Sequence, residues 1–185
     1  PAYSPAIIGA AGYSTELAEN LCRRRHEIKV FTPLVRGLKE HEEINGIEVK
    51  RIKKTQITES YYFSFDMIKA ILKEKFDIIH SHHYGYFPAT SGFIAAKLSR
   101  TPHVFGPYYH PPIYGIKRWL LFSAYHATQG FPLLRFSDKV LPHTKFEKMM
   151  LQKIGTKQEN MEILPNIVNT KKFTSGKKEK IVLFV

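Results

Sequence analysis

Apolar runs typical of β-strands alternate with helical patterns along almost the whole chain of 185 residues, and this alternation limits the possible folds more than any other feature. Each run holds about four to six residues, whereas each helical pattern reaches roughly ten residues with its apolar side chains on one face. Parallel strands need crossover helices of this length, and right-handed crossovers place helices on both faces of the sheet. The sequence therefore predicts an α/β fold of three layers, with a Rossmann-like parallel sheet between helices.

The predicted elements follow from periodicity and from turn residues. Helices are expected over residues 13–25, 64–75, 86–99, 115–131 and 144–154. Strands are expected over residues 28–32, 77–80, 102–106, 138–141, 161–164 and 180–185. Within residues 43–51, Asn45-Gly46 predicts a tight turn between two strands.

The two ends of the chain predict its domain organisation. Residues 1–10 form a predicted loop that enters the first helix directly, although a sheet of this type begins with a strand before that loop. We therefore expect the first strand to be missing and the chain to be a fragment. Residues 1–173 are predicted to form one domain, and residues 174–185 a linker with the start of the first strand of another domain.

Charge and composition point to anionic partners. The formal net charge is +12, from 28 basic and 16 acidic residues, which favours nucleic acid, phosphorylated ligands or an anionic membrane surface. Cys22 is the single cysteine, so the chain has no internal disulfide, as is typical of a reducing compartment. The sequence has no apolar run of the roughly 18 residues that a membrane-spanning helix needs. We expect a cytoplasmic protein.

The histidine cluster His80, His82 and His83 follows a predicted strand, where ligands bind to parallel sheets. One interpretation is the metal site of a hydrolase, which would also need carboxylates at later strand ends. The residues found at those ends are Tyr108, His110, His143 and Asn166, without a carboxylate. The other interpretation is a polar, aromatic surface that binds a sugar or polyol, because aromatic faces stack on sugars and imidazoles bond to hydroxyls.

Several short motifs, taken together in their order and spacing, indicate a family. They are Pro5-Ala-Ile-Ile-Gly-Ala-Ala-Gly12, Glu16-Leu-Ala18, Arg25-His-Glu-Ile28, Val30-Phe-Thr-Pro33, Phe76-Asp-Ile-Ile-His-Ser-His82, Thr101-Pro-His-Val-Phe105, His110, Ser137-Asp-Lys-Val140, Phe146-Glu-Lys148 and Ile163-Leu-Pro-Asn166. This series resembles the N-terminal domain of retaining GT-B glycosyltransferases of family 4, and it covers nearly the whole chain.

The resemblance implies one half of a GT-B fold, in which two Rossmann-like domains face each other across a cleft. The N-terminal domain mostly holds the acceptor, and the C-terminal domain, absent from this chain, grips the donor. The intact enzyme would be a hexosyltransferase of carbohydrate or glycolipid biosynthesis. It would transfer a sugar from a nucleotide-diphosphate sugar to an acceptor hydroxyl with retention. It would need no metal or other cofactor, and this fragment alone would be inactive.

The resemblance also implies roles for individual residues. Gly9 matches the second glycine of the family's loop, so Gly9 and Ala10 are expected to contact the donor phosphates at a helix N-terminus. Ile8 stands where the family has its first glycine, and Gly12 can supply the flexibility instead. His110 matches the family histidine that lies against the donor sugar, and it is the expected catalytic residue.

The resemblance also implies a set of residues that line the acceptor side of the cleft. They are His82, His83, Tyr84, Tyr108, Tyr109 and Arg118. The acceptor itself would be a sugar, a polyol or a lipid.

Two further alternatives concern surfaces. The basic and aromatic residues that lead into the apolar helix of residues 115–131 are typical either of a core helix with a polar rim or of a patch that binds anionic lipid. The second alternative would place the protein peripherally on the inner face of the cell membrane. A nucleic-acid-binding domain is favoured by charge alone, since the sequence has no recognition motif, and no nucleic-acid partner is expected.

Overall fold

A computed structural model describes residues 3, 9–57, 61–111, 115–167 and 170, with the backbone alone for residues 9–11 and 118. The loop before Gly9, the predicted strand over residues 180–185 and the domain boundary at residue 173 lie outside the described residues. The described helices and strands, in chain order, are α1 (Gly9–Arg23), β1 (Lys29–Pro33), β2 (His41–Ile44), β3 (Ile47–Ile52), β4 (Thr55–Gln56), β5 (Tyr62–Phe63), α2 (Phe65–Leu72), β6 (Ile79–His82), α3 (Phe87–Ser99), β7 (His103–Gly106), α4 (Ile116–Tyr125), α5 (Phe131–Phe136), β8 (Lys139–Val140) and α6 (Lys145–Lys153).

The first sheet has the strand order β1-β3-β2. β1 pairs with β3 in parallel, whereas β2 pairs with β3 antiparallel. Asn45 and Gly46 connect β2 to β3 with φ angles of 53° and 79°, which confirms the predicted two-residue turn. The sheet is therefore not purely parallel, because a tight turn of two residues can only join antiparallel neighbours.

The second sheet has the order β6-β7-β8, and all its strands are parallel. The strand predicted over residues 161–164 is reduced to a single parallel bridge between Met161 and Val140. A small antiparallel ribbon of β4 and β5 lies apart. Within the described residues the two larger sheets share no hydrogen-bonded strand pair. The α/β class, with crossover helices between parallel strands, is confirmed.

Side-chain caps fix the start of two crossover helices. The Ser64 hydroxyl accepts a hydrogen bond from the Met67 amide at the start of α2 (3.3 Å). The Thr144 hydroxyl does the same for the Glu147 amide at the start of α6 (3.0 Å). Each cap satisfies an amide that has no partner within the helix, so both helices begin where the sequence predicts.

The helix predicted over residues 115–131 is interrupted. A π-helical turn over His126–Gly130 separates α4 from α5, although the backbone stays helical throughout. Pro132 lies in the first turn of α5 and has no amide hydrogen to bond to the preceding turn, and its ring crowds the carbonyl there. The backbone widens by one residue at this point, which is a common response to such an obstacle.

Three apolar clusters form the core. The largest lies around the second sheet and includes Phe105, Leu133, Leu134, Val140 and Leu151, all nearly or fully buried. A second cluster packs α1 against β3 through Ala18, Ile47 and Val49, and a third packs α2 against α3 through Met67, Ile71 and Ala95. The packing of helices against both sheets accounts for the amphipathic patterns in the sequence.

Candidate functional site

The loops that leave β6 and β7 lie side by side at the carboxyl edge of the second sheet. The His83 amide donates to the Gly106 carbonyl (2.9 Å), and the Tyr84 amide donates to the Pro107 carbonyl (2.7 Å). These two bonds continue the parallel ladder beyond the end of β6. They therefore fix the predicted histidine cluster against the loop that contains Tyr108.

His83 and Tyr108 form a strained, stacked pair at this edge. Both residues have left-handed backbone conformations, with φ angles of 71° and 47°. Their rings stack with centroids 4.6 Å apart and planes at 22°. Left-handed conformations at residues other than glycine cost energy and concentrate at functional sites. The stacked pair is the strongest structural mark of a binding site in the described residues.

Two more aromatic residues complete the surface. The ring of His143, which follows β8, lies 4.1 Å from that of Tyr108. Tyr13 from α1 packs edge-on against both, at 5.1 Å from His143 and 5.8 Å from Tyr108. Neither residue had a predicted site role. The position of His143 at a strand end is the signal that pointed to it, whereas Tyr13 lies on a helix and carries no such signal.

Glu147 holds two of these loops together from α6. One carboxylate oxygen accepts from the Tyr109 amide, and the other accepts from the His143 amide, both at 2.7 Å. The sequence prediction of no carboxylate near the strand ends overlooked this residue, because Glu147 is on the helix that follows. Its signal was the spacing Thr144-x-x-Glu147, which is that of a capping box. Here the carboxylate bonds to the neighbouring loops instead of to its own cap.

Several buried polar atoms have no hydrogen-bond partner within the described part of the chain. They include His80 Nε2, His82 Nδ1, Tyr108 Oη and His143 Nε2. His143 donates its Nδ1–H to the Leu164 carbonyl (2.8 Å), which leaves Nε2 as an acceptor. Buried polar groups are normally paired, so the unpaired atoms gathered at this edge of the sheet are exceptions to that rule.

The histidines of the cluster are neutral at physiological pH. Burial lowers the pKa of His80 to about 4. Burial lowers the pKa of His83 to about 4 as well. The pKa of His82 is also well below its usual value, chiefly through burial. A neutral imidazole offers one donor and one acceptor, which suits the hydroxyl groups of a sugar.

The histidine cluster does not have the arrangement of a metal site. The rings of His80 and His82 lie 4.2 Å apart, while His83 turns away to stack on Tyr108. Among the described residues, no group of three or more histidine, cysteine, aspartate or glutamate side chains could hold a metal ion. The hydrolase interpretation therefore lacks a ligand set in this part of the chain.

The remaining predicted acceptor residues lie elsewhere. Tyr109 is 6% exposed and belongs to the core cluster of the second sheet. Tyr84 packs edge-on against Tyr109 (5.3 Å), and its hydroxyl lies 2.6 Å from His126 Nδ1. Both tyrosines thus contact the core around the second sheet. The backbone of Arg118 belongs to α4, and its side chain lies outside the description.

The predicted catalytic and donor-binding residues lie at element ends. His110 is exposed near the end of the loop that follows β7. Gly9 and Ala10 form the first turn of α1, which begins four residues before the predicted start at residue 13. Tyr13, one turn further along α1, is in contact with the His82 ring (6.3 Å). The start of α1 therefore lies close to the carboxyl edge of the second sheet.

Several of the basic residues form ion pairs with glutamates within the fold. Lys29 and Lys50 both contact the Glu74 carboxylate, and Lys29 does so at 2.6 Å. The Arg51 side chain is 1% exposed and pairs with Glu42. These strand residues, which contribute to the net positive charge, are thus paired with carboxylates.

No helix within the described ranges is long and apolar enough to cross a membrane. Among curated proteins, no sequence matches the chain significantly. The family described as Glycosyltransferase Family 4 matches residues 7–172, which span most of the chain and include every candidate site residue described above. The fold, the position of the site at the strand ends and this match agree: the chain belongs to Glycosyltransferase Family 4 and is a Rossmann-like domain of GT-B type.

Proposed function

We propose that this chain is the acceptor-side domain of a retaining glycosyltransferase. The intact enzyme transfers a sugar from a nucleotide-diphosphate sugar to an acceptor hydroxyl in the cytoplasm. The donor is held mainly by a second domain, so the chain alone has no transferase activity. The observation that carries the proposal is the strained pair of His83 and Tyr108, stacked at the carboxyl edge of the sheet.

The chemistry of this edge supports an acceptor with hydroxyl groups. The aromatic rings provide faces on which the apolar side of a sugar or polyol stacks. Within the described residues, His82, Tyr108 and His143 each have a buried polar atom without a partner, which a side-chain rotation on binding would present to a ligand hydroxyl. Because the histidines are neutral, the site selects for hydroxyls over phosphates or carboxylates at this position.

His110 and the start of α1 are the proposed donor contacts. The exposed His110 donates a hydrogen bond to the transferring sugar and stabilises charge that develops during transfer. The amides of Gly9 and Ala10, at the N-terminus of a helix, bind the donor diphosphate. These protein groups take the part that a metal ion has in other transferases.

The proposal is tested with the intact enzyme and a panel of UDP- and GDP-linked hexoses. We expect release of the nucleoside diphosphate from one member of the panel, and we expect EDTA to leave the rate unchanged. NMR of the product should show the anomeric configuration of the donor. Release that depends on added metal, or stoichiometric zinc in protein purified without chelator, would favour the hydrolase alternative.

Replacement of His110 by alanine tests the catalytic assignment. We expect turnover to fall about 100-fold, as for the loss of one charge-stabilising donor. The matched control is His26→Ala, an exposed histidine in the loop between α1 and β1. Unchanged turnover in the His110→Ala enzyme would contradict the role.

The surface of α4 favours a lipid acceptor and a peripheral membrane contact. The large apolar residues of α4 are exposed, including Ile116 at 71% and Leu121 at 72%, so the core-helix alternative is wrong for them. In addition, residues 78–137 contain no aspartate or glutamate, so the segment that includes α4 carries no acidic side chain. An apolar helix in a basic setting suits an anionic membrane surface.

A further inference from the structure

Glu147 is a buried carboxylate near the start of α6. The residue is 7% exposed, whereas Lys145 and Phe146 just before it are exposed. Burial of a carboxylate is costly unless its oxygens have hydrogen-bond partners. Among the described residues, those partners are two backbone amides rather than a lysine or arginine side chain. The backbone of the loops, and not a cation, therefore stabilises this charge.

The two hydrogen bonds of Glu147 do not follow the usual pattern of a helix cap. A glutamate at the third helical position normally bonds back to the amide of the cap residue, here Thr144. Glu147 instead accepts from the amide of His143, one residue before the cap, and from that of Tyr109, 38 residues away. Both distances are 2.7 Å, which is typical of charge-assisted hydrogen bonds. This pair of bonds, the Glu147 bridge, connects the loop after β7 to the loop after β8.

The loop after β7 is held at each of the three residues before His110. The Pro107 carbonyl accepts a backbone hydrogen bond (2.7 Å), and the Tyr108 ring is stacked. The Tyr109 amide bonds to Glu147, and the Tyr109 ring lies in the core cluster of the second sheet. His110 follows and is exposed. The backbone of these three residues therefore sets the position of His110.

The backbone of Tyr108 needs a restraint from outside the loop. Its φ angle of 47° lies in the left-handed region, which a residue with a side chain leaves unless neighbouring contacts hold it there. The Glu147 bridge holds the next amide along the chain, that of Tyr109. Without the bridge, the Tyr108 backbone relaxes towards a negative φ angle, and this rotation displaces His110.

The other end of the Glu147 bridge fixes the acceptor side of the site. The His143 amide bonds to the second carboxylate oxygen, and its Nδ1–H donates to the Leu164 carbonyl (2.8 Å). The His143 ring lies 4.1 Å from that of Tyr108, at the proposed acceptor surface. One side chain therefore fixes the separation between this surface and the proposed donor contact.

We propose that Glu147 is a positioning residue for sugar transfer and acts through His110. This role rests on the proposed function, in which His110 donates to the transferring sugar. Displacement of such a donor by about 1 Å lowers the rate of the chemical step, so loss of the bridge lowers kcat. The second domain mainly holds the donor in the proposed function, so the KM for the donor changes little.

The test is Glu147→Gln in the intact enzyme. Glutamine has nearly the same shape, but its amide nitrogen cannot accept a hydrogen bond, so one of the two loops is released. We expect kcat to fall at least about tenfold, with a change of less than about twofold in the KM for the donor. Glu162→Gln removes the same charge at an exposed position and should change neither quantity. Glu147→Asp keeps the charge but is too short for both amides, and it gives the same comparison if Glu147→Gln does not fold.

A double-mutant cycle distinguishes positioning from a purely structural effect. In the His110→Ala enzyme, Glu147→Gln should lower kcat by less than about twofold, because the group through which Glu147 acts is already absent. Ser64→Ala is the control for stability. It removes the cap of α2, far along the chain from both loops, and should leave kcat per folded molecule unchanged.

Amide exchange in the 185-residue chain tests the Glu147 bridge without any sugar. In Glu147→Gln, the amide of Tyr109 or that of His143 should exchange with deuterium at least about tenfold faster. The amide of Ile79 is the control, because it bonds to the Pro102 carbonyl at the amino end of β6 and should not change.

The outcomes separate this role from the proposed function. Unchanged kcat in Glu147→Gln, or an equal fractional loss in the wild-type and His110→Ala enzymes, would overturn the role while sugar transfer stands. Unchanged exchange of both amides would do the same. Wild-type turnover in His110→Ala would overturn the roles of both residues but not the transfer itself. Failure of the wild-type enzyme to use any donor of the panel would overturn the proposed function, and the role of Glu147 with it.

Discussion

At the scale of single residues, Gly130 and Gly12 form an informative pair. A Cβ at Gly130 would lie 2.1 Å from the Tyr84 hydroxyl, which is held by His126 and cannot move freely. A Cβ at Gly12 would meet nothing within 4 Å. Gly130→Ala should lower the free energy of unfolding by about 1–3 kcal/mol through overpacking. Gly12→Ala should raise it by about 0.5–1 kcal/mol, because alanine favours the helix.

Urea unfolding of the two variants measures this difference in the free energy of unfolding. Both variants carry the same substitution of glycine by alanine. Equal stability of the two variants would mean that the Tyr84 side chain is not held in place beside the π-helical turn. A loss at Gly12 instead would mean that the first turns of α1 carry a constraint from a neighbouring segment.

His103 is a structural residue rather than a site residue. It is fully buried at the start of β7, with its ring nitrogens 2.8 Å from the hydroxyls of Ser81 and Ser137. Ser137 donates its own hydrogen to the Leu133 carbonyl, so His103 donates from Nδ1 and accepts at Nε2 from Ser81. The ring thus connects β6 and β7 to the end of α5, two residues before β8.

His103→Leu removes both hydrogen bonds and leaves the buried Ser81 hydroxyl without its partner, whereas Ser137 keeps its bond to the Leu133 carbonyl. We expect a loss of about 2–4 kcal/mol in the free energy of unfolding. His41→Leu, at an exposed position on β2, is the control and should change stability by less than about 0.5 kcal/mol. A similar effect of both substitutions in urea unfolding would show that the hydrogen bonds of His103 to Ser81 and Ser137 do not stabilise the sheet.

The sequence placed some site residues and not others for clear reasons. His82, His83 and Tyr108 follow strands, and the carboxyl edge of a parallel sheet brings such residues together. The left-handed backbone at His83 and the stack on Tyr108 depend on contacts between two loops, which no local pattern encodes. Tyr109 is an aromatic residue in the same loop, yet the alternation of side chains sends it into the core.

At the scale of elements, helical periodicity gave the type of α1 to α4 and of α6, and turn residues gave the β2–β3 turn, whereas α5 lies almost wholly beyond the predicted helix end at residue 131. The strand predicted over residues 77–80 instead covers Ile79–His82, because pairing with β7 begins only at Ile79. The apolar run alone could not fix that register. The π-helical turn after α4 was also not predicted, since it results from Pro132 within an otherwise continuous helical pattern.

The exposed apolar face of α4 predicts that the chain binds to anionic lipid vesicles. We expect the chain to sediment with vesicles of equal parts phosphatidylglycerol and phosphatidylcholine, and less so as salt is raised. Leu121→Glu should reduce the bound fraction at least about fivefold, because a charge is placed in the buried face of an interfacial helix.

Leu98→Glu is the matched control for this surface. Leu98 is 66% exposed near the end of α3, so the substitution adds the same charge away from α4. Equal loss of binding in both variants would indicate attraction by net charge alone. Binding to phosphatidylcholine vesicles that is insensitive to Leu121→Glu would contradict the membrane contact.

At the scale of the whole molecule, buried neutral histidines link stability to pH. Burial lowers the pKa of His80 and His83 to about 4 and that of His103 to about 3, whereas an unfolded histidine titrates near about 6.5. Between these values the unfolded chain binds protons that the folded chain does not. Stability is therefore fully present above pH 6.5 and falls as the pH is lowered towards 4.

Urea unfolding at pH 7, 6 and 5 should show this loss, at up to about 1.4 kcal/mol per pH unit for each buried histidine. Hydrogen bonds lower the pKa values of the Glu48, Glu74 and Asp138 carboxylates. Protonation of these carboxylates therefore destabilises the folded protein only at a pH below the range in which the histidines act. His83→Asn should reduce the slope between pH 7 and 5, whereas the exposed His26→Asn should leave it unchanged. A flat profile in this range would mean that the histidines at the strand ends are hydrated in the folded protein, and a hydrated cluster would bind sugar hydroxyls only in competition with water.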